Sequence, residues 1–476
     1  MAITSGTNIN PQYTESKNKW SLVRDCVNDD VERYAVAKQY IIKPAGMSEA
    51  NYKAYVKRAV FKNFVGQTVD VQKGAAFSKE FEFTGPEGSD LPESLAYLVN
   101  NVDGSGNSLE DQIKKVGQDA FSIGRIGAMV EYRAGGNGSL ADSNRAKIVT
   151  YTAESIHDWS ESFTIETDNK LVYVLLVENM SEIQNGSRVN FKREIELSLD
   201  ENGLYVQKIT DDITGSTPQM SEPVLGNGQR MDFIPFKFIG ADDNSSNVSR
   251  SPMYKLSTIN IAHYRGDADK RTNIHLFSVP TVSFNLSPDV DPTQFMEVNG
   301  IKKGQSPAVG GTAYIGCDIG YHQASTDAFL LTCQDADVAD MVKLGAQVIA
   351  EGHAETAEAA RIRKAAGTAS LGDMVGNIED AYNDLIMWCS MMNNSSGQSD
   401  DFEFIMNKKF FDDRLSPQML QQLGALALSN QIPRKTLFDA MKRDGSLGVN
   451  DEMDMEEFES LISEQAELNP SLNLDE

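Results

Sequence analysis

The stretch RSPMYKLSTINIAHYRGDADKRTNIHLFSVPTVSF, residues 250–284, decides how this chain is built. Ser251 and Pro252 make a helix start: a hydroxyl that accepts from free backbone N–H groups, then a ring whose φ is preset for the first turn. From there to about Phe277 only Gly266 interrupts a helical composition. A helix of that length spans roughly 39 Å at 1.5 Å per residue. Its first half has Met253, Leu256, Ile259 and Ala262 at helical spacing, whereas Arg265 to Asn273 is polar all round. A polar helix with no face to bury needs neighbours or ion pairs to persist. Asp267 and Arg271 stand at i, i+4 in the favourable order, but such a pair contributes only about 0.2–0.5 kcal/mol. The sequence therefore predicts a long helix that expects partners.

Composition narrows what those partners are. A chain of 476 residues corresponds to roughly two to four domains of about 150 residues. The formal charge of −26 sets an overall field that repels nucleic acid, so any contact with phosphates has to be local and loose. Cys26, Cys317, Cys333 and Cys389 show no CxxC spacing, which argues against a zinc site or a disulfide framework and fits a reducing compartment. The start MAITSGTNINPQY lacks an apolar leader core, and no run approaches the ~18 apolar residues of a membrane span.

Outward from the long helix, the chain alternates in character. Trp20, Val23, Val27, Val31 and Tyr34, then Tyr52, Tyr55, Val56, Ala59 and Val60, recur at three- and four-residue steps and predict helices over residues 13–72. Ser108, with Asp111 three residues on, predicts a helix running to about Ser122. GAMVEYR, AKIVTY, LVYVLLVE, EIELSL, GLYVQKIT and FIPFKFIG read as strands of a mostly antiparallel sheet between Gly127 and Gly240. Beyond the long helix, VPTVSFNL, PAVGGTAYIG and AFLLTC read as strands. Helices follow at 335–351 and 371–392, separated by a polar segment that contains Arg361, Arg363 and Lys364. FEFIMNKKF reads as a further strand, and Ser416–Pro417 and Pro433 introduce two more helices. The last 33 residues, from Asp444, hold eleven acidic and no basic side chains. Met455, Phe458, Leu461 and Ile462 give that tail a short amphipathic helix, and its final residues read as disordered. The plan is a β module carried on two long helices, which is uncommon in an enzyme.

Chemistry-bearing motifs are scarce. No G-x-x-x-x-G-K-[ST] loop and no G-x-S-x-G elbow occur. Gly136 to Ala141 fits G-x-G-x-x-A, but a strand follows it where a pyrophosphate-binding helix is needed. Asn101 to Gln112 resembles a calcium loop until its twelfth position, Gln112, where a bidentate Glu is required. The stretch DGSLGVNDEMDM fails likewise, with Val449 where the turn needs Gly. His157, His263, His275, His322 and His353 show no metal-ligand spacing, so packing or interface hydrogen bonds account for them. No catalytic residue, metal site or cofactor is expected.

The blocks FIPFKFIGADDN (233–244) and INIAHYRGDADKRTNIHLFSVPT resemble the portal-like family of tailed double-stranded DNA bacteriophages. So do YLVNNVDGSGNSLEDQIKKVGQDAFSIGRIGAMVEY (97–132), VTYTAESIHDW (149–159) and EGHAETAEAARIRKAAGTASLGDM (351–374). The resemblance spans about residues 10–410 in the order of its blocks, and the acidic tail lies beyond it. It implies an α+β portal fold: a wing over 1–248, a first stem helix over 249–278, a clip over 279–332 and a second stem helix over 333–351. A tunnel loop over 352–370, a wing helix and strand over 371–413, and a helical crown over 414–476 complete it.

The same resemblance implies a dodecameric ring at one capsid vertex, the channel for genome packaging and ejection. Its implied partners are the major capsid protein, scaffolding protein, terminase large subunit, head–tail adaptor and non-specifically sliding double-stranded DNA, with no membrane. It implies assembly in the host bacterial cytoplasm and residence in the virion. Arg361, Arg363 and Lys364 become expected DNA contacts in the tunnel. Arg265, Asp267, Asp269, Lys270 and Arg271 become an expected seam between subunits, and Lys302 and Lys303 an expected docking point for terminase or adaptor. A solvated charged turn and a plain hairpin are the other readings of the first and last of these clusters. The alternative function is another head–tail connector or minor capsid protein without the channel.

Overall fold

Amphipathic spacing and capping chemistry set the first elements of the computed structural model. It describes residues 9–131, 145–164, 167–184, 186–213, 216–278, 281–301, 317–322, 328–345, 357–408, 410, 417–428, 433–443 and 460. Helix α1 (Pro11–Val27) opens with Asn10 accepting from the Gln12 N–H, α2 (Glu49–Arg58) with Ser48 accepting from Asn51, and α3 (Phe64–Ala76) with Asn63 accepting from Gly66. Each cap satisfies an N–H that the helix itself leaves free. Strand β1 (Glu82–Thr84) and the short helix α4 (Glu93–Ala96) lead to α5 (Leu109–Ser122), capped by Ser108 as its sequence predicts.

The β-prone runs become β2 (Arg125–Glu131), β3 (Lys147–Thr152), β4 (Ile156–Thr164), β5 (Thr167–Gln184), β6 (Ser187–Leu199), β7 (Tyr205–Asp211), β8 (Gln219–Ser221) and β9 (Phe236–Gly240). They form two antiparallel sheets, in the orders β3–β2–β9 and β4–β5–β6–β7–β8. Beyond them lie α6 (Tyr254–Ser278), β10 (Thr281–Leu286), α7 (Pro292–Val298), β11 (Cys317–His322) and α8 (Phe329–Lys343). Strands β10 and β11 pair antiparallel, Thr281 opposite His322 and Leu286 opposite Cys317. Then come α9 (Ala357–Asn393) and β12 (Glu403–Ile405), which pairs with β1.

Two departures from the sequence reading have a physical cause. AFLLTC, expected as a strand, supplies the first turns of α8, which therefore spans Phe329–Lys343 and not 335–351. A short apolar run has no period of its own, so strand and buried helix look alike in it. Residues 357–370, expected within a tunnel loop, are the start of α9. AEAARIRKAAGTAS carries no apolar stripe, yet alanine, glutamate, arginine and lysine are strong helix formers. The expected strand PAVGGTAYIG, the Gly136 motif, His353, the DGSLGVNDEMDM stretch and all of the tail helix except Ser460 lie outside the described residues.

The chain divides into two compact units, Met1–Lys408 and Lys409–Glu476. The first holds two buried regions. In one, Trp20, Val23, Tyr52, Tyr55 and Val65 from the N-terminal helices enclose Leu256, Ile261, Tyr264 and Ala268 of α6 and Met341 of α8. In the other, α9 packs across β9, β2 and α5, burying Val375, Ile378, Tyr382, Leu385 and Ile386 completely. Tyr382 donates to Gln112 Oε1 at 3.0 Å, and Gln112 donates to the Ile148 carbonyl at 2.8 Å, so these two buried side chains are paired. In the second unit α10 (Pro417–Leu428) packs on α11 (Arg434–Arg443), where Ala427 and Phe438 are buried.

Candidate functional site

Helix α6 carries one of the three clusters of charged residues singled out by the sequence, Arg265 to Arg271. Its entry is not the expected cap. The helix begins at Tyr254, because Ser251 Oγ donates to the Ser122 carbonyl at 2.9 Å and the Met253 N–H points to the same oxygen. The end of α5 thus holds the start of α6. Gly124, at φ +83°, makes the close approach possible: a Cβ there would fall 2.7 Å from the Arg250 carbonyl.

The linker before α6 is fixed as firmly. Arg125 is 2% exposed, its guanidinium lying 4.3 Å from the Trp159 ring and 4.1 Å from the Phe238 ring. Its Nη1 donates to the Ser246 and Asn247 carbonyls at 2.9 and 3.0 Å. Burial works against its charge and lowers its pKa, and the two neighbouring aromatic rings offset part of that cost. The Val248 N–H donates to Gln12 Oε1 at 2.8 Å, and Asn244 donates to the Asn377 carbonyl at 2.8 Å. Three separated segments of the chain, at Gln12, Ser122–Arg125 and Asn377, therefore set the direction of α6.

Along α6, the buried face is Leu256, Ile261, Tyr264 and Ala268, with Ala262 exposed instead of inward. Asn260 is fully buried and serves α3: its Oδ1 accepts from Phe64 and Val65, and its Nδ2 donates to the Lys62 carbonyl. Nothing in its sequence context marks Asn260, because the groups it caps lie about two hundred residues earlier.

The segment read as polar all round is largely paired within the chain. Arg265 Nε donates to the Tyr40 carbonyl at 2.8 Å. Asp269 accepts from the Tyr55 hydroxyl at 2.7 Å. Lys270 Nζ lies 2.6 Å from Gln334 Oε1 on α8 and 3.4 Å from Asp267 Oδ1. Asp267 Oδ2 accepts from Arg271 Nε at 2.5 Å and from the Val60 N–H at 2.9 Å. Asp267 has no accessible surface, its carboxylate being enclosed by groups of its own chain. Burial alone would raise its carboxyl, but the Val60 N–H, Arg271 and Lys270 hold it below the usual carboxylate range. One turn earlier, His263 packs edge-on against Phe64 and is 2% exposed. Burial, helped by Lys62, lowers its pKa and keeps it neutral.

Arg361, Arg363 and Lys364 fall on the first turns of α9, at one end of a 37-residue helix and apart from the α6 cluster in sequence and element. Lys302 and Lys303 lie outside the described residues.

None of this assembles reaction chemistry. Among the described residues no group of three His, Cys, Asp or Glu is placed to hold a metal ion. Cys26 and Cys389 are buried, and burial pushes the Cys26 thiol up to about 12 and the Cys389 thiol upward as well, away from nucleophilic thiolate. Among the described residues no helix is long and apolar enough to cross a membrane. An open groove of about 470 Å³ runs beside α6, lined by Asn18, Ser21, Lys38, Tyr254, Thr258 and Arg265 among others.

Residues 252–392, from the entry of α6 to the end of α9, match a family described as a domain of unknown function (DUF4055). Comparison with curated proteins gives no match. Among solved structures the chain is similar to chains of gene transfer agent (GTA) particles. One, from the virion of the native particle, is 11% identical with a TM-score of 0.39 over 90% of this chain and 97% of that one. One from the neck of the empty particle, computed with C6 symmetry, is 11% identical with a TM-score of 0.42 over 92% and 98%. One from the native neck, computed with C12 symmetry, is 10% identical with a TM-score of 0.40 over 86% and 90%.

Proposed function

We propose that this chain is a portal-type subunit: twelve copies form a ring at one capsid vertex, through which double-stranded DNA is packaged and ejected. The observation that carries the reading is the order α6, antiparallel pair β10–β11, α8. A 25-residue helix leads out to a small β unit, and a second helix returns to the same hydrophobic core. Such a projection has little interior of its own, so its natural setting is a collar of identical projections. The order of sequence blocks shared with the portal-like family supports the same reading.

The charge fits a conduit. DNA that moves in both directions stalls on strong phosphate contacts, and a chain of net charge −26 offers few. Basic points such as Arg361, Arg363 and Lys364 act as brief contacts, sequence-blind and salt-sensitive. ATP hydrolysis belongs to a partner terminase, since the chain carries no phosphate-binding loop. Capsid protein, scaffold and head–tail adaptor bind the outer surfaces, and Lys302 and Lys303 serve as a docking point for motor or adaptor.

Negative-stain imaging of the purified full chain tests the proposal directly. End-on rings with a central hole are expected. Compact monomers at micromolar concentration would overturn it.

A further inference from the structure

Arg125 holds more donors than the fold uses. Its Nη1 donates to the Ser246 and Asn247 carbonyls, but Nε and Nη2 are buried without a hydrogen-bond partner. A buried donor left so costs stability, and a charged one costs more, because its charge leaves water as well. Among the described residues no carboxylate compensates this cation: burial is the one cause that shifts its pKa. The acids of the adjoining linker, Asp242 and Asp243, are exposed, and Asp243 accepts from the Ser245 N–H at 2.9 Å instead. The Trp159 and Phe238 rings stand close to the guanidinium, but a ring is a weaker acceptor than an anion.

The two unpartnered donors belong to one edge. Nε–H and Nη2–H point the same way, at a spacing that matches two oxygens of a carboxylate or a phosphate. The chain uses that edge elsewhere. Arg24 Nε and Nη2 donate to Oε1 and Oε2 of Glu154 at 3.0 and 2.8 Å. Arg193 Nε and Nη2 donate to Oδ1 and Oδ2 of Asp211 at 2.7 and 3.0 Å. Both of those arginines are partly exposed, whereas Arg125 is 2% exposed. The arginine in greatest need of an anion is thus the one to which the fold supplies none.

We propose that the Nε–Nη2 edge of Arg125 binds a small free oxyanion, a carboxylate or inorganic phosphate, through two parallel hydrogen bonds at the base of α6. A macromolecule does not fit the site, because both donors are closed off from the surface. A small ion enters through the linker, where Ser245 and Asn247 are exposed loop residues and local opening is cheap. Once bound, it completes the clamp between β2 and residues 246–247 that leads into α6. Binding and closure of the linker are then one linked equilibrium. The site does not depend on the ring reading.

Thermal unfolding of the full chain tests it, at pH 7 and constant ionic strength, with sodium chloride replaced stepwise by sodium acetate or sodium phosphate. A saturable rise in melting temperature is expected for the parent chain and not for Arg125→Met, which keeps an unbranched side chain but has no donor. Phosphate also stabilises proteins through exclusion from their surface, so the difference between the two chains is what counts. A response to acetate alone assigns a carboxylate, and a response to phosphate alone assigns a phosphate. Equal shifts in parent and variant would overturn the site. Should Arg125→Met not fold, trypsin cleavage of the parent chain after Arg250 decides, measured against a free peptide substrate. Cleavage is expected to slow about tenfold with the ion at ten times its dissociation constant. Cleavage that neither ion slows would overturn the site.

Discussion

Arg271 Nε lies 2.5 Å from Asp267 Oδ2, and the Val60 backbone N–H reaches the same oxygen from another element at 2.9 Å. One carboxylate thereby joins α6 to the end of α2. Asp267 has no accessible surface whereas Arg271 is 41% exposed, so the pair is a buried anion held by a cation that reaches it from the rim. Removing the carboxylate leaves a buried N–H without a partner and a cation without its anion. Asp267→Ala is expected to cost about 3–5 kcal/mol in urea unfolding. Asp267→Asn, which still accepts from Val60, should cost clearly less. Equal losses would show that the charge, and not the acceptor, matters.

His263 links stability to mild acid. Lys62 and Lys270 face it as cations and Asp267 as an anion, while Phe64 covers its ring. Its folded pKa is depressed, so the unfolded chain takes up the proton first. Its contribution to stability is present above about pH 6.5 and is lost as pH falls from there toward the folded value. Melting curves between pH 7.5 and pH 5 should show falling stability, and His263→Leu should flatten that slope. Some slope should persist, because burial also lowers His157.

Arg125 fixes the linker into α6 through two bonds from Nη1 to Ser246 and Asn247, and a Lys ammonium cannot also offer the planar group that lies against the Trp159 and Phe238 rings. Arg125→Lys is expected to lose about 1.5–3 kcal/mol. Trypsin should then cut at Arg250 several-fold faster than in the parent chain. Unchanged cleavage would show that the other linker bonds suffice.

Gly124→Ala attacks the same joint from the opposite side. The new methyl meets a carbonyl at 2.7 Å and the backbone stands at positive φ. Left-handed geometry alone costs about 1–2 kcal/mol for a residue with a Cβ. The close approach adds to that, so a loss of more than about 2 kcal/mol is expected in thermal unfolding.

For DNA, the triple variant Arg361→Ala/Arg363→Ala/Lys364→Ala should weaken binding of duplexes of any sequence to the assembled ring, measured by fluorescence anisotropy. The salt slope should fall by about one for each phosphate that the variant no longer neutralises. A slope that does not change would place DNA elsewhere.

The sequence by itself determined the elements. Capping residues Ser48 and Ser108, apolar spacing in α1 and α5, and β-prone runs between turn residues are local signals, and the helices and strands form where those signals stand. It also determined the absence of a recognisable catalytic motif, since such motifs are local too. Where the local signal was missing or double, the reading slipped: AFLLTC has no period, and the alanine-rich start of α9 has no stripe. Tertiary structure alone decided the partners of polar side chains. Asp267, Asn260 and Arg265 look alike as surface residues of a polar helix, but they meet Val60, Lys62 and Tyr40 about two hundred residues away in the chain. Hydrogen bonding is satisfied in space and leaves no period in sequence, so the buried side of α6 became visible only once the N-terminal helices were packed against it.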